Sequence, residues 1–413
     1  MKIAAIENAF VYSQILLIYG AAGTGKTTLL NYLSNLTVGK KKLFLTKTNA
    51  ALENLKRRIT NPGNDDSFVS IDSFTRRYNI EDYDVIFVDE CSTIENEVMS
   101  KLLEKRSPSS YLVLSGDIHQ IESIDFGNWF YYAKERISTS GASVELLNNW
   151  RTNNDNLISL WDSVRKRNHL MIEKLAIDDS FCDVISEKIL HPEYKDEVVL
   201  CLNYDGKFGL NNINNYFQCA NPHTSFKWHE WEYKVDDPIL FNNSERFPFL
   251  YNNLKGRIRK IEQPSNSEII FTVTICLILT EKDCDNYGID FISNTETETT
   301  IRFSISDYYD DNGELIEDKQ SLSVVPFQLA YAVSIHKAQG LEYDSVKVII
   351  PKSNTEKITH AMFYTAITRA KKSLKIYWSA ETMNSVLTGF ENARKNDFSL
   401  NIIKSKLTNE GLL

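Results

Sequence analysis

The first 150 or so residues alternate short apolar runs with stretches whose apolar residues recur on one side only. Apolar runs of this length are typical of strands buried in a parallel sheet, whereas apolar residues three and four apart indicate helices. Helical spacing follows the first two runs, at Thr28–Leu33 and Thr48–Ile59. This part of the chain is therefore predicted to be an α/β domain. The runs are Ile15–Tyr19, Lys42–Thr46, Phe68–Phe74, Asp84–Glu90, Tyr111–Ser115 and Val144–Leu147, and Phe68–Phe74 is expected to end in a turn.

The same alternation returns in residues 152–221 and 326–413, which together predict a second α/β domain after the first domain, residues 1–151. Residues 222–325 differ, because turn residues separate short β-rich runs and helical periodicity is absent. We therefore predict a β-rich insertion in the second domain. Its runs are Pro238–Phe241, Gly256–Ile261, Ile269–Leu279 and Thr299–Ile305. The second domain has predicted helices at Thr152–Arg167, Gly209–Gln218 and His360–Ala370, strands at Val198–Leu202, Val346–Ile350 and Leu374–Trp378, and a polar helix or tail at Glu381–Leu413.

Composition fits an ordinary globular protein of 413 residues, with 42% hydrophobic and 24% charged residues. No apolar run approaches the roughly 18 residues of a membrane span, and the first residues lack a signal-peptide pattern. The six cysteines form no C-x-x-C pair, which favours reduced thiols in a cytoplasmic protein over a zinc site. The net charge of −9 argues against coating nucleic acid by charge alone, but not against gripping one strand in a local cleft.

A phosphate-binding loop is predicted at Gly20–Thr27, which fits the pattern G-x-x-x-x-G-K-T between a strand and a helix. The glycines allow backbone N–H groups to surround phosphates, and the helix N-terminus adds a partial positive charge. Lys26 is expected to reach the β- and γ-phosphates, and Thr27 to hold Mg²⁺. ATP and Mg²⁺ are thus the predicted cofactors.

Two carboxylates follow the strand in DVIFVDE. At the carboxyl edge of the sheet, Asp89 would face the metal and Glu90 the attacking water. Gln120 follows the next strand in GDIHQ, where it could bond to the γ-phosphate. Arg151 lies in NNWRT, which follows the last predicted strand of this domain, and we expect it to contact the γ-phosphate from the facing domain.

Seven motifs in order make the chain resemble a superfamily 1 helicase of the UvrD/RecD-like group. They are GAAGTGKTT, LTKTNAALENL, VDECS, GDIHQIESIDFG, NNWRT, SIHKAQGLE and YTAITRAKK. The resemblance implies two RecA-like domains, each a parallel sheet flanked by helices. The β-rich insertion is similar to the SH3-like barrel of RecD- and Dda-type enzymes, which is the branch closest in layout. Large helical insertions of the UvrD type do not fit the chain.

The resemblance also assigns roles to residues at the matching positions. It implies catalytic roles for Lys26, Glu90, Gln120, Arg151 and Arg369, the two arginines acting as arginine fingers, and metal binding by Thr27 and Asp89. It implies nucleotide contacts for Gly20, Ala21, Ala22, Gly23, Thr24, Gly25, Lys26, Thr27, Thr28, Gly340 and Glu342, and nucleic-acid contacts for Thr46, Asn49, Ser73, Ser334 and His336. Gln14 lies too close to the first strand to match the adenine-reading glutamine motif of the family.

The expected function is an ATP-dependent helicase or translocase on single-stranded DNA that moves from 5′ to 3′, as the branch implies. A second hypothesis is a nucleotide-dependent switch or scaffold subunit that controls a partner such as a nuclease. A third is an RNA-tracking helicase, although no reader of the 2′-hydroxyl is recognisable. A protein partner, such as a separate N-terminal module, is also compatible with the sequence, whereas a membrane partner is not expected.

Overall fold

The computed structural model describes residues 13–76, 83–120, 129–137, 142–167, 181–182, 194–242, 246–247, 249–285, 287–308, 320–355 and 357–395. Its strands are β1 Ile15–Gly20, β2 Lys42–Thr46, β3 Ser67–Ser70, β4 Val85–Val88, β5 Tyr111–Gly116, β6 Ser143–Leu146, β7 Phe181–Cys182, β8 Glu197–Cys201, β9 Ser225–Trp228, β10 Trp231–Lys234, β11 Pro238–Phe241, β12 Lys255–Ser265, β13 Glu268–Ile275, β14 Asp290–Asn294, β15 Thr299–Ser306, β16 Phe327–Leu329, β17 Ala332–Ser334, β18 Tyr343–Ile349 and β19 Ala370–Tyr377.

The α-helices are α1 Lys26–Leu36, α2 Asn49–Arg58, α3 Ile71–Arg76, α4 Asn96–Lys105, α5 Trp129–Ile137, α6 Asp155–Arg165, α7 Leu210–Ala220, α8 Glu281–Asp285, α9 Gln320–Ser323, α10 His360–Ile367 and α11 Ala380–Lys395, and single 3₁₀ turns lie at Cys91–Thr93 and Lys352–Asn354. None of the helices in the described ranges is long and apolar enough to cross a membrane. The contacts divide the chain into two compact units, residues 1–151 with 210–333 and residues 152–209 with 334–413. These units differ from the predicted domain boundaries, which stay a prediction.

The first unit contains a six-stranded parallel sheet in the order β3-β2-β4-β5-β1-β6. All six apolar runs predicted from the sequence contribute a strand to it. Alternate residues face opposite sides: Leu16 and Ile18 pack in one cluster of the core, and Leu17 packs in another. Both faces are therefore covered at the centre of the sheet, which explains why β1, β4 and β5 are mostly apolar. The edge strands β3 and β6 are mostly half-buried and also contain polar residues.

The segment after β3 differs from the expected turn. Ile71 and Phe74 are three residues apart and both buried, so they lie on one face of the short helix α3. The Thr48 side chain caps α2, because it accepts a hydrogen bond from the Ala51 N–H. Strand β2 thus leads through a short loop into α2, whereas β3 continues directly into α3.

The β-rich segment forms a second sheet of the first unit, in the order β14-β15-β13-β12-β11-β16. Buried and half-exposed residues alternate along β13 and β15, as expected for one covered face. All four predicted runs contribute a strand, whereas β9, β10 and β14 and the short helices α8 and α9 were not predicted. The SH3-like assignment stays a prediction.

This second sheet packs on helix α2 of the first sheet's layer. Ala50, in the first turn of α2, is buried in the apolar core formed by the β-rich segment. Near the other end of α2, Arg57 Nη2 donates a hydrogen bond to Cys276 O at 2.7 Å. The insertion therefore shares a core with the first 151 residues.

The second unit contains parallel strands in the order β8-β18-β19-β7. The Asn154 side chain caps α6, and Trp161 Nε1 donates to Ile367 O of α10 at 3.0 Å. Helix α6, predicted from the sequence, has one apolar side, because four of its large apolar side chains are buried, namely Leu157, Leu160, Trp161 and Val164. Helix α10 ends at Ile367, earlier than predicted, so Arg369 lies in the connection to β19 and not on the helix.

Candidate nucleotide and strand-binding site

The loop after β1 has the backbone that a phosphate-binding loop requires. Gly23 and Gly25 have φ of +79° and +87°, a left-handed conformation that favours glycine. Gly25 is the N-cap of α1, and no side chain caps this helix end. The first N–H groups of the helix therefore have no intrahelical acceptor and suit an anion.

Lys26 lies within this loop and is held by its carbonyl groups. Its Nζ donates to Gly20 O at 2.9 Å and to Ala21 O at 3.0 Å. Burial lowers the pKa of Lys26, and the negative charges of Asp117 and Asp89 oppose that shift. The half-buried ammonium group is thus partly shielded from water, so its attraction to a phosphate would be stronger than in bulk water.

Thr27 and Asp89 meet at the carboxyl edge of the sheet, as predicted. Thr27 Oγ1 donates to Asp89 Oδ2 at 3.1 Å. Two neighbouring ligands of octahedral Mg²⁺, each about 2.1 Å from the ion, are roughly 3 Å apart, so this oxygen pair fits the metal. Within the described ranges, no group of three or more His, Cys, Asp or Glu residues could hold a metal.

Glu90 adopts a left-handed backbone, with φ 54° and ψ 40°. Its N–H donates to Asp89 Oδ1 at 2.9 Å, and its carbonyl accepts from Thr93 Oγ1 at 2.8 Å. A non-glycine residue in this conformation is strained, and such strain persists where the surroundings fix it and often marks a functional site. The two acidic residues are thus fixed in different orientations.

Arg151 lies in the same unit as the phosphate-binding loop, so the expectation that it comes from the facing domain was wrong. The reason is the pairing of β6 with β1, which brings the end of β6 beside the loop. A Cβ atom on Gly23 would lie 2.4 Å from Arg151 Cβ. The catalytic role of Arg151 stays a prediction.

Two neighbours of Arg151 also contact the loop, and neither was singled out from the sequence. Asn149 Nδ2 donates to Ala22 O, and the Trp150 N–H donates to Gly23 O, both at 2.7 Å. The Trp150 side chain is 77% exposed beside the loop. Their presence in NNWRT was the available signal, but only the strand pairing shows what they touch.

Asp117 is a further residue that sequence reasoning missed. It is buried, its charge opposes the lowering of the Lys26 pKa, and its Oδ1 accepts from the His119 N–H at 3.1 Å. Its carbonyl accepts from the Gln120 N–H at 3.3 Å, which places Gln120 at the end of β5 as predicted. Residues 121–127 of the quoted motif lie outside the described residues.

In the second unit, Arg369 is 2% exposed and links two motifs. Its guanidinium donates to Leu341 O at 3.1 Å and to Thr365 O at 2.9 Å. Leu341 lies between Gly340 and Glu342, the two predicted nucleotide contacts of this unit. The three predicted residues are therefore close together, and their contacts with nucleotide stay predictions.

The residues expected to touch nucleic acid fall into two groups. The predicted contact of Thr46 with nucleic acid was wrong, because its side chain is fully buried and cannot reach a strand. Its hydroxyl donates to Thr48 O at 2.8 Å and so supports the loop before α2. Asn49 and Ser73 are exposed at the carboxyl edge of the first sheet, whereas in the second unit His336 is exposed and Ser334 is half-buried. These four remain candidates for contact with a strand.

Comparison with known proteins matches two separate parts of the chain. A family model described as an AAA domain matches residues 3–180, and one described as a UvrD-like helicase C-terminal domain matches residues 329–377. An uncharacterised protein of Methanocaldococcus jannaschii is 22% identical over 97% of this chain and 39% of its own length. The RecBCD enzyme subunit RecD of Buchnera aphidicola subsp. Acyrthosiphon pisum is 23% identical over 75% of this chain and 56% of its own. The chain thus spans about half the length of these curated relatives.

Solved structures show the same fold. A Bacteroides Pif1 helicase in complex with ADP-AlF3 and single-stranded DNA is 15% identical and superposes with a TM-score of 0.57 over 100% of this chain and 97% of its own. The Pif1 helicase of Candida albicans is 16% identical, with a TM-score of 0.55 over 94% and 98%. The chain therefore has the fold of these proteins, with RecA-like P-loop domains. The UvrD-like C-terminal model and the RecD relatives confirm its resemblance to the UvrD/RecD-like group of superfamily 1 helicases.

Proposed function

We propose that this chain is an ATP-dependent motor on single-stranded DNA. The observation that carries the proposal is the hydrogen bond between Thr27 and Asp89 beside the half-buried Lys26, because it unites the two halves of an ATPase centre. Asn49 and Ser73 are exposed at the same edge of the same sheet. A strand bound there would lie close to the loops that hold ATP, which is the arrangement that a motor needs.

The proposed chemistry assigns one task to each residue. Lys26 binds the β- and γ-phosphates, and Glu90 takes the proton of the attacking water. Bound Mg²⁺, held by Thr27 and Asp89, would neutralise the charge that develops between the phosphates. Gln120 orients the γ-phosphate or the water. Arg151 and Arg369 stabilise the transition-state charge, and Gly340 and Glu342 are the proposed nucleotide contacts of the second unit.

The direction of movement, 5′ to 3′, is proposed from the resemblance to the RecD/Dda branch. The same resemblance supports the SH3-like identity of the insertion and the domain boundaries 1–151, 152–221 with 326–413, and 222–325. A cytoplasmic location is proposed from cysteines that are free thiols at the five described positions. The proposed motor activity does not depend on the direction, the identity of the insertion, the domain boundaries or the location.

The proposal is tested by the ATPase rate of the full chain without nucleic acid, with single-stranded DNA and with single-stranded RNA. Strong stimulation by DNA alone is expected, and Lys26→Ala should abolish the activity while the fold is kept. Lys40→Ala, at an exposed lysine of the same unit, is the matched control and should be fully active. An ATPase rate that neither polymer changes would contradict the motor. Stimulation by RNA alone would mean that the chain moves on RNA and not on DNA.

A second candidate function is a switch or scaffold subunit that controls a partner such as a nuclease. The observation that favours it is that several relatives of this chain are subunits of the RecBCD enzyme. A strand-displacement assay on a duplex with a 5′ overhang separates the two. Unwinding by the isolated chain supports the motor, whereas DNA-stimulated ATPase without unwinding, together with a stable complex with another protein, supports the subunit.

A further inference from the structure

Lys47 joins three segments at the carboxyl edge of the parallel sheet: its own loop, helix α3 and the segment that leads into α4. It lies between the end of β2 and the start of α2, and its Nζ is 2.6 Å from Glu95 Oε2 and 3.1 Å from Asp72 Oδ2. The side chains of Lys47, Glu95 and Asp72 are 22%, 16% and 35% exposed, respectively. The ion pairs are therefore partly shielded from water and more directional than pairs on an open surface.

Two of the three segments carry or adjoin residues proposed to touch the DNA strand. Asn49 follows Lys47 by two positions at the start of α2, and Ser73 directly follows Asp72 in α3. Both side chains are exposed. A strand that pulls on either residue would therefore move the ammonium group or one of its carboxylate partners.

The third segment begins at Glu90, the proposed catalytic base, and reaches Glu95 five residues later. It has little freedom, because Thr93 Oγ1 bonds to Glu90 O at 2.8 Å and the Ile94 N–H bonds to Cys91 O at 3.2 Å. Cys91, Thr93 and Ile94 are all buried. A displacement of Glu95 would thus be passed to Glu90 and not absorbed along the loop.

The ion pairs keep the lysine charged. Burial alone would lower the pKa of Lys47, but the hydrogen bonds with Glu95 and Asp72 outweigh it, and the pKa is raised. The contact is therefore intact at neutral pH, where a motor of this kind would work.

We propose that Lys47 and Glu95 are positioning residues that couple strand binding to the catalytic loop. The inference rests on the proposed function, since it names how the strand speeds hydrolysis at that same site. Neither residue is among those proposed to bind ATP or to take part in its hydrolysis. Their loss should therefore lower the stimulation by DNA and leave the basal rate unchanged.

The test uses the full chain, oligo(dT) as the strand, and the ATPase rate with and without it. Lys47→Met and Glu95→Gln should each lower the stimulation on the order of tenfold, a usual size for coupling between two sites, with the basal rate unchanged. The double variant should be no worse than either single variant, and Lys47→Arg should restore part of the stimulation. Lys101→Met and Glu97→Gln are matched controls, because these residues form an exposed ion pair in the neighbouring helix α4.

Direct contact of Lys47 with a DNA phosphate is the main rival. In that case Lys47→Met would reduce the dependence of DNA affinity on salt by about one phosphate contact, whereas Glu95→Gln would leave the stimulation intact. That result would overturn the proposal, as would an equal fall of basal and stimulated rates. Stimulation equal to that of the controls would overturn it too. Absence of stimulation in the unmodified chain would instead contradict the proposed function, so the two failures are distinguishable.

Discussion

At the scale of single residues, the phosphate-binding loop depends on one glycine that tolerates neither a side chain nor another backbone conformation. Gly23 combines a positive φ with the close approach of Arg151. Gly39, in the loop after α1, has nearly the same φ of +81° but nothing within 4 Å of an added Cβ. A side chain at Gly39 would therefore meet backbone strain alone, whereas one at Gly23 would meet both strain and a steric clash.

We expect Gly23→Ala to abolish nucleotide binding, because the new methyl group would displace the Asn149–Arg151 segment from the loop. Gly39→Ala should lower the free energy of unfolding by about 1–2 kcal/mol, the usual strain of a left-handed residue, with unchanged ATPase. Fluorescent nucleotide binding and urea unfolding measure both effects. Nucleotide binding retained in Gly23→Ala would show that the loop and the Asn149–Arg151 segment accommodate the methyl group.

Arg369 combines a proposed chemical role with a structural one. Arg369→Ala should lower kcat by about 10³-fold, as for other arginine fingers. It should also lower the free energy of unfolding by about 1–3 kcal/mol, because buried Leu341 O and Thr365 O would lose a charged donor. Steady-state kinetics and urea unfolding of the same preparation test both. An unchanged kcat would reduce the residue to its structural role.

Sequence reasoning worked for residues whose role follows from their neighbours in the chain and failed where tertiary contacts decide. Lys26 and Thr27 were predicted correctly in place because a strand, a loop and a helix are contiguous there. Asp117 and Asn149 were missed because they reach the loop only through the pairing of β1 with β5 and β6. Thr46 was misassigned because its burial is not visible in the sequence.

At the scale of elements, helix α7 is tied to strand β17 by one side chain. Asn214 Nδ2 donates to Ala332 O at 3.0 Å, and its Oδ1 accepts from the Ala332 N–H at 2.9 Å. The residue is 5% exposed, whereas its neighbour Asn215 is exposed. The same helix thus offers a buried and an exposed asparagine side by side.

Asn214→Leu should lower the free energy of unfolding by about 1–3 kcal/mol, because the Ala332 amide and carbonyl would stay buried without a partner. Asn215→Leu should change it by less than about 0.5 kcal/mol, as is usual for a surface site. Urea unfolding of both variants measures the difference. Similar losses in the two would mean that water replaces the asparagine at Ala332.

The elements were predictable to the extent that burial imposed a pattern on them. The central strands of the first sheet are covered on both faces and mostly apolar, and the edge strands β3 and β6 keep enough apolar residues, so all six were recognised. Strands β9, β10 and β14 were missed because most of their residues are exposed or half-exposed and give no alternation. Helix α3 was missed because six residues contain too few repeats to show a helical period.

At the scale of the whole molecule, nucleotide and metal should stabilise the fold by mass action. With Mg²⁺ and ADP at roughly 100 times the Kd, we expect a gain of about 2.7 kcal/mol in the free energy of unfolding, read as a rise in Tm. Removal of Mg²⁺ with EDTA should shrink that rise. Thr27→Ala should make the remaining rise insensitive to EDTA, since the proposed metal ligand is gone. A rise that EDTA never affects would contradict the metal site.

The packing of Ala50 in the core of the β-rich segment has a consequence for synthesis. Roughly 180 residues separate Ala50 from Trp228, an early member of that core, and ribosomes add about 5–20 residues per second. The face of α2 that carries Ala50 therefore waits on the order of ten seconds or more for its covering. During that interval the nascent first sheet exposes an apolar surface, so chaperone binding to the growing chain should peak before the insertion emerges.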